Sequence, residues 1–403
     1  MKKRLLAAFL AALMIFSLFS CTKEEPATES TTDEGNQPVT ISDEEAIDKF
    51  LADMKNGVYD DQKMYGYDDL SVYFKPGTYT GLTFPDDPLL DPTVTKEEAE
   101  DYLKMIYIVN VLTDEEFETL TEGVVQKFDS VHLTYEGTQN GKVIDRATGE
   151  EKALLIGSGT FIPGFEEGLI GKKIGQKVPL DLSLSPYYED DEMAGTTVHF
   201  EAVVKEITRP KLPELTVETF NEMYGTDYKD MDALLEDLRA DMEAENEETA
   251  HYAVLSYLQN KIIKSSEIGE MPEKEMEFYR KKFTEYFESA ATDAELSLEE
   301  YVKTEMGLSS LDEFYEDVEE YARESVLADL FVLTIAKKEN LSVTDEQIRS
   351  MIEGYYQSSA GNFSNLYSML TYYISIQGPF FFENTLLSSV VQDFIYQSAV
   401  KEG

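Results

Sequence analysis

The spacing of hydrophobic residues divides the chain into three successive patterns. Apolar positions follow a helical period over 42–126, apart from a Gly- and Pro-rich stretch at 65–92. Over 127–208 apolar and polar positions alternate, which is typical of strands that bury one face. Beyond Pro210 the helical period returns and continues over 209–403. The chain is therefore predicted to be α+β, with a β domain set between two mostly helical segments.

Five short patterns predict where helices begin. In each of them a Ser or Thr precedes a Glu or Gln by three residues, so each side chain can accept a hydrogen bond from the other residue's backbone N–H. The pairs are Ser42 with Glu45, Thr95 with Glu98, Ser297 with Glu300, Ser310 with Glu313, and Thr344 with Gln347. Pro272 is predicted in the first turn of a further helix, where its missing N–H is not needed.

Short alternating runs within 127–208 predict a compact, mainly antiparallel domain. The apolar residues that alternate lie at 131–135, near Val143, and at 154–156, 178–182 and 198–204. Asn140-Gly141 predicts a tight hairpin, because both residues tolerate a positive φ. The run 165–170 is the best candidate for a single short helix.

The first 21 residues are predicted to be a lipoprotein signal peptide. Basic residues at 2–4 precede an apolar run over 5–19, which is too short for a comfortable membrane span. The motif LFSC at its end resembles a bacterial lipobox, and the resemblance implies that Cys21 is lipidated. The alternative is an ordinary signal peptide that carries a cysteine. Residues 22–41 are polar and rich in Thr, Glu and Ser, which predicts a flexible acidic tether. We expect a protein anchored at the extracytoplasmic face of the cell membrane.

Composition narrows the possible functions. The 403 residues include 80 acidic and 34 basic ones, so the formal net charge is −46. Such a charge repels phosphate backbones and anionic lipids, which argues against nucleic-acid binding and against a polybasic membrane patch. One cysteine excludes an internal disulfide and a Cys-rich zinc site, and three histidines make a His-based metal centre improbable. No cofactor or metal is predicted.

The densest cluster of glycines lies at 156–171, with the sequence IGSGTFIPGFEEGLIG. A dinucleotide-binding fingerprint that starts at Gly157 would need a third glycine where Ile162 stands. A phosphate-binding loop of the Walker type needs Ser or Thr after Gly-Lys, whereas Gly171 is followed by two lysines. These departures argue against a phosphate cradle.

This cluster instead resembles the FKBP-type peptidyl-prolyl isomerases, in the form found in bacterial trigger factor. The similarity continues through VHLTYEG at 131–137, NGKVID at 140–145, GQK at 175–177 and the Tyr pair at 187–188. It implies an FKBP-like fold for 127–208. The pocket residues that the resemblance implies are Tyr135, Ile144, Asp145, Phe161, Ile162, Phe165, Tyr188 and Phe200.

The implied chemistry needs neither a proton donor nor a nucleophile. Rotation about a peptide bond faces a barrier of ~18–20 kcal/mol because resonance keeps the bond planar. An apolar, aromatic cup disfavours the charge-separated planar form relative to the twisted one. The resemblance implies that Phe165 forms the floor under the proline ring and that the Ile162 N–H holds the preceding carbonyl. Tyr135 and Asp145 would be polar anchors at the rim and wall.

Residues 209–403 resemble the helical chaperone domain of trigger factor, through LLEDL at 234–238, Met271-Pro272 and QDFI at 392–395. The ribosome-binding signature Gly-Phe-Arg does not occur before residue 127, and we expect no ribosome partner. We expect 42–126 and 209–403 to pack as one helical body from which the isomerase domain projects. Met and aromatic residues concentrated at 351–382 form either a surface that holds clients or the core between the last helices.

The leading hypothesis is a membrane-anchored foldase outside the cytoplasm. It would isomerise X–Pro bonds and hold unfolded, newly secreted proteins. The alternative is a non-catalytic holdase in which the β domain is only a binding module. A substrate-binding lipoprotein of an importer is a weaker idea, because the chain lacks the parallel-sheet pattern of two α/β lobes.

Overall fold

The computed structural model describes residues 41–402, except for Asp68, Asp145, Arg146, 189–192 and Ala360. Its helices are α1 Asp43–Lys55, α2 Lys96–Asn110, α3 Phe165–Leu169, α4 Val217–Tyr224, α5 Met231–Lys264, α6 Glu273–Asp293, α7 Leu298–Thr304, α8 Leu311–Glu339, α9 Asp345–Ser358, α10 Leu366–Gln377 and α11 Phe381–Ser398. Its strands are β1 Phe74–Lys75, β2 Thr83–Phe84, β3 Phe117–Leu120, β4 Ser130–Gln139, β5 Lys142–Val143, β6 Gly149–Leu155, β7 Lys177–Ser183, β8 Thr197–Pro210, β9 Glu267–Ile268 and β10 Val400–Lys401.

The described residues form two units. One unit contains 41–82 and 258–399, and the other contains 83–257 and 400–402, so the division falls within α5. This differs from the single helical body expected for 42–126 and 209–403, because parts of both segments lie in the unit that holds the sheet.

An antiparallel sheet organises the second unit. β8 pairs with β4 along one edge and with β7 and β3 along the other, while the far edge of β4 pairs with β6 and β5. Alternate residues of the central strands, such as Val131, Leu133 and Val204, are almost fully buried. The short helix α3 packs against β7, as expected for a half-buried sheet.

Residues 83–126 and 209–257 belong to this unit because of two features, which the sequence pattern does not show. β3 pairs with the last residues of β8 and extends the sheet beyond the predicted domain. The helix α2 buries Ala99 and Leu103 against Val217, Leu234 and Leu235 of α4 and α5. Burial of these apolar side chains explains why the flanking helices join the β domain.

The first unit is helical, and its described residues contain at least two cores. One lies between α6, α7 and α8, around Phe283, Phe314 and Val318. The other lies between α1, α9, α10 and α11, where Met369 and Phe382 are almost fully buried. Most of the Met and aromatic residues at 351–382 are therefore core residues, although Tyr367 is 50% exposed. Within the described ranges, no helix combines the length and the apolarity needed to cross a membrane.

Helix caps follow the predicted patterns with one exception. Four of the five predicted pairs form reciprocal capping boxes. At the fifth, Ser310 accepts from the Glu313 N–H, but the Glu313 carboxylate accepts from the Ser309 N–H at 2.9 Å instead. Pro272 occupies the N-cap position just before α6 rather than the first turn. Asn140 and Gly141 have φ of 51° and 76°, as the predicted hairpin requires.

Candidate active site

Four aromatic rings meet on one face of the sheet. Phe165, the first residue of α3, is fully buried and lies 4.6 Å from the Phe161 ring centroid to centroid. The Phe200 ring meets it edge-on at 5.5 Å, and the Tyr135 ring lies 5.9 Å away. Tyr135 and Phe161 are themselves 5.2 Å apart. Edge-to-face and tilted ring pairs of this kind are favourable arrangements, so the cluster forms an apolar patch of fixed geometry.

Strand register brings the two sheet residues of this cluster together. Tyr135 on β4 lies opposite Ala202 on β8, and Gly137 lies opposite Phe200. The two rings therefore occupy diagonal positions on one face. Glycines provide the space: a Cβ at Gly137 would lie 3.0 Å from Phe200 Cε1, and one at Gly149 would lie 3.3 Å from the Tyr135 hydroxyl oxygen.

A glycine-rich loop carries Phe161 and Ile162 to the cluster. Gly157, Gly159 and Gly164 have φ of 99°, 69° and 89°, a region that favours glycine. The Phe165 N–H donates to the Ile162 carbonyl at 3.1 Å, which joins the loop to the start of α3. The loop and the short helix thus form one structural element over the sheet.

The N–H of Ile162 is available to a ligand. The neighbouring Phe161 N–H already donates to the Glu166 carboxylate at 3.1 Å. By contrast, none of the described residues accepts the Ile162 N–H. Ile162 is half-buried and packs against the same core as the aromatic rings. An unpaired donor beside an apolar cup is the arrangement that would hold a carbonyl oxygen.

The remaining predicted residues lie as follows. Ile144 and Tyr188 are half-buried and pack on the core cluster of this domain, together with Tyr135, Phe161 and Ile162. Asp145 and Cys21 lie outside the described residues. The structure therefore brings seven of the eight predicted pocket residues to one core.

The predicted floor is covered in this structure. Phe165 has no exposed surface, whereas Phe161 beside it is half-buried and presents part of its ring. Phe161 is therefore the more accessible of these two rings.

Sequence reasoning did not assign roles to two further residues. Tyr187 donates to the Pro85 carbonyl at 2.5 Å and packs against Tyr257, and burial raises its pKa above the ordinary value. It therefore fixes the position of the loop that carries Tyr188. The Glu166 carboxylate accepts from several donors of the glycine-rich loop. Nothing in the sequence distinguishes Glu166 from the other acidic residues.

Comparison with known proteins agrees with this geometry. Residues 122–205 match the family model for the FKBP-type peptidyl-prolyl cis-trans isomerase, and residues 230–374 match that for the bacterial trigger factor protein C-terminus. The chain is trigger-factor-like. The first match covers most of the antiparallel sheet, and the second runs from the start of α5 into α10.

Several trigger factors are similar to this chain. That of Bacillus cytotoxicus is 32% identical over 281 residues, which are 69% of this chain and 63% of that protein. Those of Halothermothrix orenii and Bacillus cereus strain Q1 are 28% and 29% identical and likewise cover 69% of this chain. The chain spans slightly less than two thirds of the length of these relatives, namely 63%, 62% and 63%.

One solved structure, of the trigger factor chaperone, is 17% identical and covers 80% of this chain and 73% of that chain. Its TM-score of 0.34 is too low to compare how the domains are arranged.

Proposed function

We propose that this protein catalyses cis/trans isomerisation of X–Pro peptide bonds and holds unfolded client proteins. The observation that carries the first activity is the Ile162 N–H, which no described residue accepts and which lies beside the aromatic cup of Tyr135, Phe161, Phe165 and Phe200. Unaided, an X–Pro bond isomerises in roughly 10–100 s, so a catalyst is useful to any protein that folds faster.

The geometry suits this reaction. Transfer of the X–Pro amide from water to an apolar cup disfavours its planar, charge-separated form, and this lowers the barrier to rotation. The Ile162 N–H would hold the carbonyl that precedes proline while the rest of the amide twists. The rings would pack on the pyrrolidine. No group in this scheme gains or loses a proton.

Refolding of a model protein whose slow step is proline isomerisation tests the catalytic proposal. We expect the full-length chain, purified in mild detergent, to accelerate that step at substoichiometric concentration. The same preparation should suppress aggregation of a chemically denatured client. Suppressed aggregation without any acceleration contradicts the isomerase proposal.

A second candidate function is a holdase without catalysis. The covered Phe165 favours it, because a cup whose floor is inaccessible binds a proline less deeply. The refolding assay separates the two functions, since only an isomerase changes the rate of the proline-limited step.

We further propose that the protein is a lipoprotein at the extracytoplasmic face of the cell membrane. The lipobox-like motif that ends at Cys21 supports this location. Its clients would be newly secreted chains, and it would act away from the ribosome. Metabolic labelling with an alkyne fatty acid should mark the wild-type protein in membranes and not the Cys21→Ser variant. Equal labelling of both proteins, or co-sedimentation with ribosomes, contradicts this assignment.

A further inference from the structure

The side chain of Glu166 lies inside the glycine-rich loop rather than in solvent. It is 4% exposed, although the residue carries a carboxylate. One carboxylate oxygen accepts from the Gly157 N–H at 2.7 Å and the Gly159 N–H at 3.2 Å. The other accepts from the Phe161 N–H at 3.1 Å and the Ser158 hydroxyl at 3.3 Å. A single buried side chain therefore receives four hydrogen bonds from one loop.

The path of the loop makes this convergence possible. The three N–H donors lie at every second residue, and positive φ at Gly157 and Gly159 turns them toward one point. The hydrogen bonds that Glu166 accepts from the described residues all come from this loop. Hydrogen bonds to an ionised acceptor are stronger than neutral ones, so the loop is held firmly.

Glu166 also selects which N–H remains free. It takes the N–H of Phe161 but not that of Ile162, the next residue along the chain. It follows Phe165 directly in α3, so the helix that carries the buried ring of the cup also carries the anchor of the loop. The position of the donor is thereby tied to the position of the rings.

We propose that Glu166 is a positioning residue of the isomerase site: it holds the 157–161 segment so that the Ile162 N–H alone points to the bound carbonyl. This inference rests on the proposed function. The apolar rings supply most of the ground-state binding, whereas the direction of the N–H matters most when the amide is twisted. Loss of the anchor should therefore lower kcat more than it raises KM.

The test compares Glu166→Gln with a matched control, Glu167→Gln, in the full-length chain. Glutamine keeps the size of the side chain but places an NH2 group against two of the four donors. Glu167 carries the same charge in the same helix, is exposed, and among the described residues accepts a hydrogen bond from the Gly164 N–H alone, at 3.0 Å. We measure kcat and KM for an X–Pro peptide by NMR exchange spectroscopy, and the urea midpoint of each variant.

We expect kcat of Glu166→Gln to fall about tenfold, with KM changed by less than about twofold. Glu167→Gln should keep the wild-type values. In 15N–1H spectra, the amide signals of Gly157, Gly159 and Phe161 should shift together in Glu166→Gln and stay in place in Glu167→Gln.

Four results would overturn the inference. If those amide signals shift while kcat is unchanged, the anchor exists but does not position the reaction. If kcat, KM and the urea midpoint all change in parallel, Glu166 serves stability alone. If the wild-type chain has no isomerase activity, the proposed function itself is wrong. That outcome is distinguishable from an effect of the variant, because it appears in the wild type. Should Glu166→Gln not fold, Glu166→Asp keeps the charge on a shorter side chain, and an unchanged kcat for that variant also contradicts the proposal.

Discussion

Replacement of Phe200 by leucine isolates the contribution of one ring to the cup. Phe200 is 5% exposed and meets Phe165 edge-on at 5.5 Å. Loss of such a ring pair costs about 0.5–1.5 kcal/mol. The slightly smaller side chain leaves unfilled space, which costs about 1 kcal/mol more. We therefore expect Phe200→Leu to lower the free energy of unfolding by about 2 kcal/mol, so that the domain stays folded.

The same change should lower the isomerase activity. The leucine side chain should make less contact with the pyrrolidine ring than Phe200 does. The poorer hydrophobic fit should lower kcat/KM about tenfold. The matched control is Phe331→Leu in the helical unit, where Phe331 is 1% exposed and pairs with Phe74 at 6.2 Å. It should cost a similar free energy of unfolding and leave kcat/KM unchanged. The reasoning is refuted if kcat/KM of Phe200→Leu equals that of wild type, or if both variants lose activity equally.

Three further changes test other parts of the structure. Arg209→Met should lower the free energy of unfolding in urea by about 3–5 kcal/mol, because it leaves the Asp129 carboxylate, which is 1% exposed, without its cation. A decrease below about 1 kcal/mol contradicts this prediction. Burial lowers the pKa of Lys282 to about 8. Between pH 8 and 10.5 the Lys282 amine therefore holds its proton in the unfolded chain and loses it in the folded chain. The free energy of unfolding should rise by up to about 3 kcal/mol over this range, and Lys282→Met should abolish the rise. Gly137→Ala should lower stability by about 1–3 kcal/mol, because its methyl group would lie 2.7 Å from the Cβ and carbonyl oxygen of Ala147 and 3.0 Å from Phe200 Cε1. Displacement of the Phe200 ring should lower kcat/KM as well, and an unchanged urea midpoint contradicts the predicted crowding.

The β domain was predictable because its signals are local. Alternating apolar residues gave the strands, Asn140-Gly141 gave the hairpin, and the caps gave most helix starts. β3 was not predictable, since its four residues show no clear alternation and their partner at the end of β8 lies about ninety residues away in sequence. Likewise, an amphipathic helix such as α2 shows that one face is buried but not which element covers it. At Glu313 the predicted reciprocal pair with Ser310 was half wrong, because the adjacent Ser309 N–H donates to the carboxylate.

The sequence resemblance nominated eight pocket residues, and seven of them pack on one core, but it did not predict how they are arranged. Tyr135, Phe161 and Phe200 were nominated by the resemblance to FKBP-type isomerases, which rests on the order of glycines and aromatics along the chain. The covering of Phe165 depends on how side chains pack, which no local pattern specifies. Glu166 could not be singled out among 80 acidic residues, because its role depends on burial and on the path of the loop around it.

The most direct test of the central claim is NMR exchange spectroscopy of a short X–Pro peptide in the presence of the full-length chain. We expect cis/trans exchange to accelerate at substoichiometric protein, to saturate with peptide and to be slower with Phe200→Leu than with Phe331→Leu. An exchange rate equal to that of the free peptide, from a preparation that still prevents a client from aggregating, would contradict it and leave a chaperone whose cup binds without catalysis.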